Sequence, residues 1–153
     1  MPSTLHGTQA VWAFEEHEHL DLVRGINRIH DIACQIGRIA TPELAHRLGD
    51  ILGWLDGTLD PHIGWEEAWL YPEIEVRIGT PWATTAARFD HQQIREMIGR
   101  IRLDQPLLAG HDHEAADPAE IRCHLFSLEA LLRAHIEREE RFLIPLLADK
   151  RPG

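Results

Sequence analysis

Two short stretches of this chain place a histidine and a glutamate four residues apart: His62 with Glu66, and His135 with Glu139. On a helix that spacing brings both side chains to one face, about 6 Å apart at the backbone. Each pair runs in line with leucines and isoleucines rather than along a polar face. A carboxylate buried in such a stripe needs a counter-charge, because an unpaired buried charge is strongly disfavoured. Lysine cannot supply it, since Lys150 is the only one in the chain. A pair of divalent or trivalent cations can. Imidazole with carboxylate suits iron, and less well manganese or zinc.

The two pairs belong to a longer echo. Residues 62–72 read H-I-G-W-E-E-A-W-L-Y-P, and residues 135–145 read H-I-E-R-E-E-R-F-L-I-P. The shared pattern, H-I-x-x-E-E-x-x-[WF]-L-x-P, is not expected of two unrelated solvated helix faces. It points to a pseudo-twofold bundle built from two helical hairpins. Two further histidines complete the constellation. His91 lies on a stripe with Ile94 and Ile98 and is expected to point inward. At the start of the chain the candidates are His19 and His17. His19 has Leu22, Val23 and Ile26 at +3, +4 and +7, whereas His17 has Leu20, Asp21 and Arg24. His19 is therefore the inward choice, and His17 takes the role if that helix is rotated or overwound. The candidate metal ligands are His19, His62, Glu66, His91, His135 and Glu139. Six are too many for one structural zinc, which takes four.

Four helices must position these side chains. Periodicity is helical almost throughout, with no alternating β-branched run. The first segment spans about Thr8 to Ile39. Thr41 and Pro42 open the second as cap and first-turn proline, and Pro61 is expected to bring a kink or local irregularity rather than a clean break. Pro72 and Gly79 close that region after a short extra turn. Thr80-Pro81 starts the third helix, which ends near Asp104. Gln105 to Asp117 reads as a polar loop, and Asp117-Pro118 starts the fourth helix, which bends at Pro145. The fold class expected is all-α, an up-and-down antiparallel four-helix bundle forming one domain with its core at about 10–149.

Composition narrows the function. The chain has 153 residues, 11 scattered histidines and a formal charge of −10. The acidic balance speaks against nucleic acid and against an anionic membrane surface. Met1 to Gln9 lacks the charged start and apolar run of a signal peptide, so a soluble, cytoplasmic protein is expected. Cys34 and Cys123 are read as buried small residues rather than a disulfide or thiolate metal site. His30 and His124 lie eleven residues from His19 and His135 on the same stripes and are read as satisfied core histidines. His6, His46, His111 and His113 are read as surface or loop residues. Trp12, Trp65, Trp69 and Trp82 are read as packing, some of them walling the metal pocket. Tyr71 is read as core or interface, with a role behind the ligands as the alternative.

The paired H-x-x-x-E motifs, each followed by Leu-x-Pro, and the single histidines on helices one and three resemble the hemerythrin-like, or HHE cation-binding, family. The resemblance covers roughly Trp12 to Leu147. It implies a four-helix bundle around an oxo- or hydroxo-bridged di-iron centre. His19 and His62 would sit on one iron, His91 and His135 on the other, with Glu66 and Glu139 bridging. The chain departs from the oxygen carriers of that family at two places. Arg95 stands where they have a fifth histidine, and the fourth-helix carboxylate falls at +4 rather than +5. One iron therefore lacks a protein ligand, a gap that water, Glu67, Glu15 or His17 would fill.

The function expected is binding of a small ligand (dioxygen, peroxide or nitric oxide) at two irons for sensing, storage or detoxification. The alternatives are a di-iron oxidoreductase with catalase-like or nitric oxide-reducing activity, and an iron-sensing interaction module. Partners are expected to be the small ligand alone, with no nucleic acid and no membrane; a homodimer is left open.

Overall fold

The computed structural model describes residues 4–109 and 117–147, with side chains described from Glu18 onward except at 107 and 109. The chain forms four helical rods. The first is α1, Thr4–Gln35. The second is a continuous rod of α2 (Thr41–Trp54), α3 (Asp60–Trp65) and α4 (Tyr71–Ile78), joined by two π turns, Leu55–Leu59 and Glu66–Leu70. A 3₁₀ turn, Pro81–Thr84, leads into α5, Thr85–Ala109. The fourth rod is α6 (Pro118–Arg138), a π turn at Glu139–Leu143 and a 3₁₀ turn at Ile144–Leu147. Successive rods pack side by side: α1 lies against α2 and α6, and α5 lies against the same two. The result is the expected four-helix bundle, with no strand among the described residues. No helix among them is long and apolar enough to cross a membrane.

Besides Pro106 in α5, three prolines sit inside these rods without ending them, and each follows a π turn, the kind of local irregularity expected at Pro61. Asp60, Tyr71 and Ile144 each donate their backbone N–H to a carbonyl five residues back, on Leu55, Glu66 and Glu139. Each donor immediately precedes a proline: Pro61, Pro72 and Pro145. In a regular helix the proline ring collides with the carbonyl four residues earlier. Widening the preceding turn to an i→i+5 bond relieves that collision and lets the rod continue.

The termini follow from local chemistry, with three departures from expectation. Thr41 is not the cap of the second rod. Ala40, in extended conformation, precedes it, and Leu44 N–H closes the first turn on the Ala40 carbonyl at 3.0 Å. The third helix continues five residues past Asp104 to Ala109 with Pro106 inside it, because Leu108 is buried in the core there. Gly79, rather than Pro72, ends the second rod. Its φ of 77° is a left-handed geometry suited to glycine. Asp117 caps α6 as expected, its carboxylate accepting from Ala119 N–H at 2.8 Å.

Two apolar clusters make up the core. The larger includes Ile26, Ile29, Leu48, Ile51, Ile94, Ile101, Leu125 and Leu132. Gly25 lets Trp54 press directly on α1: a Cβ there would lie 2.0 Å from the indole ring. The smaller cluster holds Leu70, Tyr71, Ile74, Ala87, Leu143 and Leu147. His91 lies one turn from Ala87 of the smaller cluster and one turn from Ile94 of the larger. The polar constellation is therefore sandwiched between two apolar layers.

Several single-residue expectations fail. Cys34 and Cys123 are both exposed and free. His30 is exposed and His124 half-buried, so neither is a core residue. Trp82 is 78% exposed and Trp69 69% exposed, while Trp65 packs half-buried on the smaller cluster. His46, by contrast, is at the surface as expected, 3.7 Å from Asp50. The side chains of His6, Trp12, Glu15 and His17, and residues His111 and His113, lie outside the described residues.

Candidate metal centre

Each rod contributes to one buried polar cluster. His19 comes from α1, His62 and Glu66 from the second rod, His91 from α5, and His135 and Glu139 from the fourth rod. None of the six is more than 5% exposed. Their donor atoms form two overlapping groups that could each hold a metal ion: His19, His62, Glu66 and Glu139, and Glu66, His91, His135 and Glu139. Within each group the donor atoms lie within 4.8 Å of one another.

The carboxylate of Glu66 spans the two halves. Its Oε1 is 2.7 Å from His62 Nε2 and 3.9 Å from His19 Nε2. Its Oε2 is 3.1 Å from His91 Nε2 and 3.9 Å from His135 Nε2. Glu139 Oε2 lies 3.5 Å from both His19 Nε2 and His135 Nε2. Both oxygens of Glu66, and Oε2 of Glu139, are buried with no hydrogen-bond partner. Fully buried carboxylate oxygens are rarely left so. The donor set, four imidazoles around two carboxylates, fits a cation pair.

Behind each imidazole stands a carboxylate. His19 Nδ1 meets Glu140 at 3.1 Å, His62 Nδ1 meets Glu18 at 2.8 Å, and His91 Nδ1 meets Glu67 at 2.9 Å. His135 Nδ1 meets Asp90 at 3.4 Å. An ionised carboxylate only accepts, so Nδ1 carries the proton and the Nε2 lone pair points into the cluster. Two of these carboxylates are tied in turn. Arg95 binds Glu67 through both terminal nitrogens, at 2.8 and 3.1 Å, and Arg138 binds Asp90.

The pattern of outer carboxylates repeats between the hairpins. The residue just before each single histidine, Glu18 or Asp90, reaches the histidine of an H-x-x-x-E pair. The second glutamate of each E-E pair, Glu67 or Glu140, reaches back to a single histidine. The E-E dipeptides of both motifs do not by themselves disclose these roles, which helical spacing from the ligands leaves open. The dipeptides Glu18-His19 and Asp90-His91 were the signal that could have found them.

Charge makes the same demand. Burial disfavours ionised Glu66, yet the four histidines hold its carboxyl well below the usual range. Glu139 moves the other way, raised by burial and by the charge of Glu66. Burial alone would lower the pKa of His135, but Asp90 and Glu66, then Glu139, push it up to about 10. The cluster thus attracts positive charge, whether carried by protons or by metal.

The sequence profile of the hemerythrin HHE cation binding domain matches residues 11–147. The chain belongs to the hemerythrin HHE cation-binding domain family. No curated protein and no solved structure matches it significantly. Against this family's carriers, the position of interest is Arg95. It lies on the outer side, tied to Glu67 and 3.8 Å from Asp60. Glu67 is likewise engaged behind His91 and does not face the cluster.

Tyr71 reaches the cluster instead. It is fully buried, donates its hydroxyl to Glu139 Oε1 at 2.5 Å, and lies 3.1 Å from His91 Nε2. Its ring stacks on that of His91, centroids 5.3 Å apart, and the Arg88 guanidinium covers it at 5.2 Å. Five residues separate Tyr71 from Glu66, which on a regular helix would place it on another face. The π turn between them stacks the fifth residue over the first and brings the phenol inward. The same phase change turns the +3 residues outward in both copies, leaving Trp69 69% and Phe142 64% exposed.

Proposed function

We propose that this protein holds two iron ions on His19, His62, Glu66, His91, His135 and Glu139, and binds dioxygen, peroxide or nitric oxide there for sensing, storage or detoxification. The observation that carries this reading is Glu66, whose two oxygens face different histidine pairs while having no hydrogen bond of their own. A carboxylate so shared is suited to bridging two ions, and the four outer carboxylates orient the imidazoles for ligation. Bound iron would supply reversible ligation and one-electron exchange with small molecules.

Tyr71 is the further donor in this reading, on the side of His91 and His135. The equivalent position in the second motif is Ile144, which is buried and has nothing to donate. The His19–His62 side therefore has fewer protein donors and is the side that takes the external ligand.

The test is elemental analysis of the purified chain together with an optical spectrum of the reduced, oxygen-free sample before and after gas addition. Two irons per chain and a band that disappears when the gas is removed are expected. One zinc per chain would overturn the reading. The enzyme reading draws support from Tyr71, which holds a proton beside Glu139 within the cluster. It requires oxygen release from added peroxide above that of free iron.

Tyr71→Phe separates ligand from packing residue. The phenylalanine keeps the ring in the core, so iron content is expected to be retained. A tyrosinate–iron charge-transfer band in the oxidised wild-type spectrum is expected to vanish in the variant. Identical visible spectra would remove Tyr71 from the ligand set.

A further inference from the structure

Away from the histidine–glutamate cluster, α1 and α6 bring together a thiol, an imidazole and a carboxylate. Cys34 Sγ is 3.5 Å from His30 Nε2, one helical turn earlier. His30 Nδ1 is 2.8 Å from Glu129 Oε2 on α6. The other oxygen of Glu129 accepts from Arg133 Nε at 2.8 Å, and Arg133 also donates to Asn27 at 2.8 Å. The Phe126 ring meets the imidazole edge-on, centroids 5.7 Å apart. Burial disfavours the charge of Glu129, but Arg133 and His30 outweigh it and hold its pKa below the ordinary value.

These contacts fix the imidazole. An ionised Glu129 only accepts, so the proton sits on His30 Nδ1 and the lone pair of Nε2 faces the thiol. A nucleophile beside a base that a third group orients is the arrangement that activates side chains for attack. Cys34 and His30 are both exposed, so the sulfur is open to small reagents. Acyl transfer would need oxyanion donors next to the sulfur. Cys34 lies inside α1, whose backbone N–H groups are taken by the helix, and no side-chain donor meets Sγ among the described residues, His30 Nε2 being the acceptor there. Attack on a disulfide is an in-line displacement at sulfur and needs no such donor.

We propose that Cys34, with His30 as base and Glu129 as positioning residue, is a site of thiol–disulfide exchange with low-molecular-weight disulfides. His30 Nε2 takes the thiol proton as Sγ attacks one sulfur of the disulfide R–S–S–R. The S–S bond of the reagent breaks, the Cys34–S–S–R bond forms, and the released thiolate takes the proton from His30. Cys34 is oxidised to the mixed disulfide and one RSH is released.

Cys123 is a built-in control, exposed and free but without a hydrogen-bond partner among the described residues. The experiment follows thiol reaction with uncharged 4,4′-dithiodipyridine at pH 7 in Cys123→Ser, which reports Cys34, and in Cys34→Ser, which reports Cys123. Cys34 is expected to react about tenfold faster or more, below the ~100-fold or more that a positioned base typically contributes, because His30 and Cys34 are exposed. His30→Gln is expected to slow Cys34 by a similar factor while leaving Cys123 unchanged. Glu129→Gln is expected to slow it partly, with Glu129→Asp recovering rate. Oxidised glutathione is expected to give one adduct, on Cys34, by intact mass. Equal rates for the two thiols overturn the proposal. So does an unchanged or increased Cys34 rate in His30→Gln, and a parallel rise at Cys123 would trace that increase to opening of the helices.

Discussion

Glu66→Gln is expected to empty both metal positions together. The glutamine keeps the volume of the buried side chain, so the apolar layers on either side stay filled and far-UV circular dichroism should retain its helical signal. What is lost is the charge that both halves share. Glu66 Oε1 faces His62 and His19, and Oε2 faces His91 and His135. Removing it leaves each side with its imidazoles and a single carboxylate, Glu139, whose Oε1 is already bound by Tyr71. Iron content is expected to fall from two per chain to none. His19→Ala, which touches one side only, is expected to leave about half the iron. Retention of one iron in Glu66→Gln would refute bridging by this residue.

Stripping the metal is expected to lower the melting temperature by roughly 8–16 °C. A ligand present at a thousand times its dissociation constant stabilises the folded state by about 4 kcal/mol. In a chain of this size each kcal/mol moves the midpoint by about 2–4 °C. The cause is local. Six carboxylates, Glu18, Glu66, Glu67, Asp90, Glu139 and Glu140, surround four buried imidazoles, and among the described residues only Arg95 and Arg138 are hydrogen-bonded to them as fixed positive charges. Differential scanning fluorimetry before and after chelation, with elemental analysis to verify removal, makes the measurement. An unchanged midpoint in a verified metal-free sample would sink both strong metal coupling and the iron-sensing alternative, which needs metal to set bundle stability.

Much of the architecture was legible because it rests on local signals. Helical periodicity, Asp117-Pro118 at the start of α6 and the repeated eleven-residue motif all act within a turn or two. The outward turn of Trp69 and Phe142 was not legible, because both lie at helical spacing from a ligand. Only the i→i+5 turn before each proline changes their phase. Cys34 and His30 were misplaced for a related reason. A broad apolar stripe has edges, and the packing partner decides which edge residues are covered.

Residue spacing alone names the side chains that could meet a metal. A histidine and a glutamate four apart on an apolar stripe, twice over, demand a shared counter-charge, and that demand follows from burial alone. Tertiary structure decided what surrounds them. It set which carboxylate stands behind each imidazole, turned Arg95 outward to Glu67, and brought Tyr71 inward across a widened turn. Those outcomes depend on contacts between rods and on helix phase at three prolines, neither of which spacing along one helix can specify.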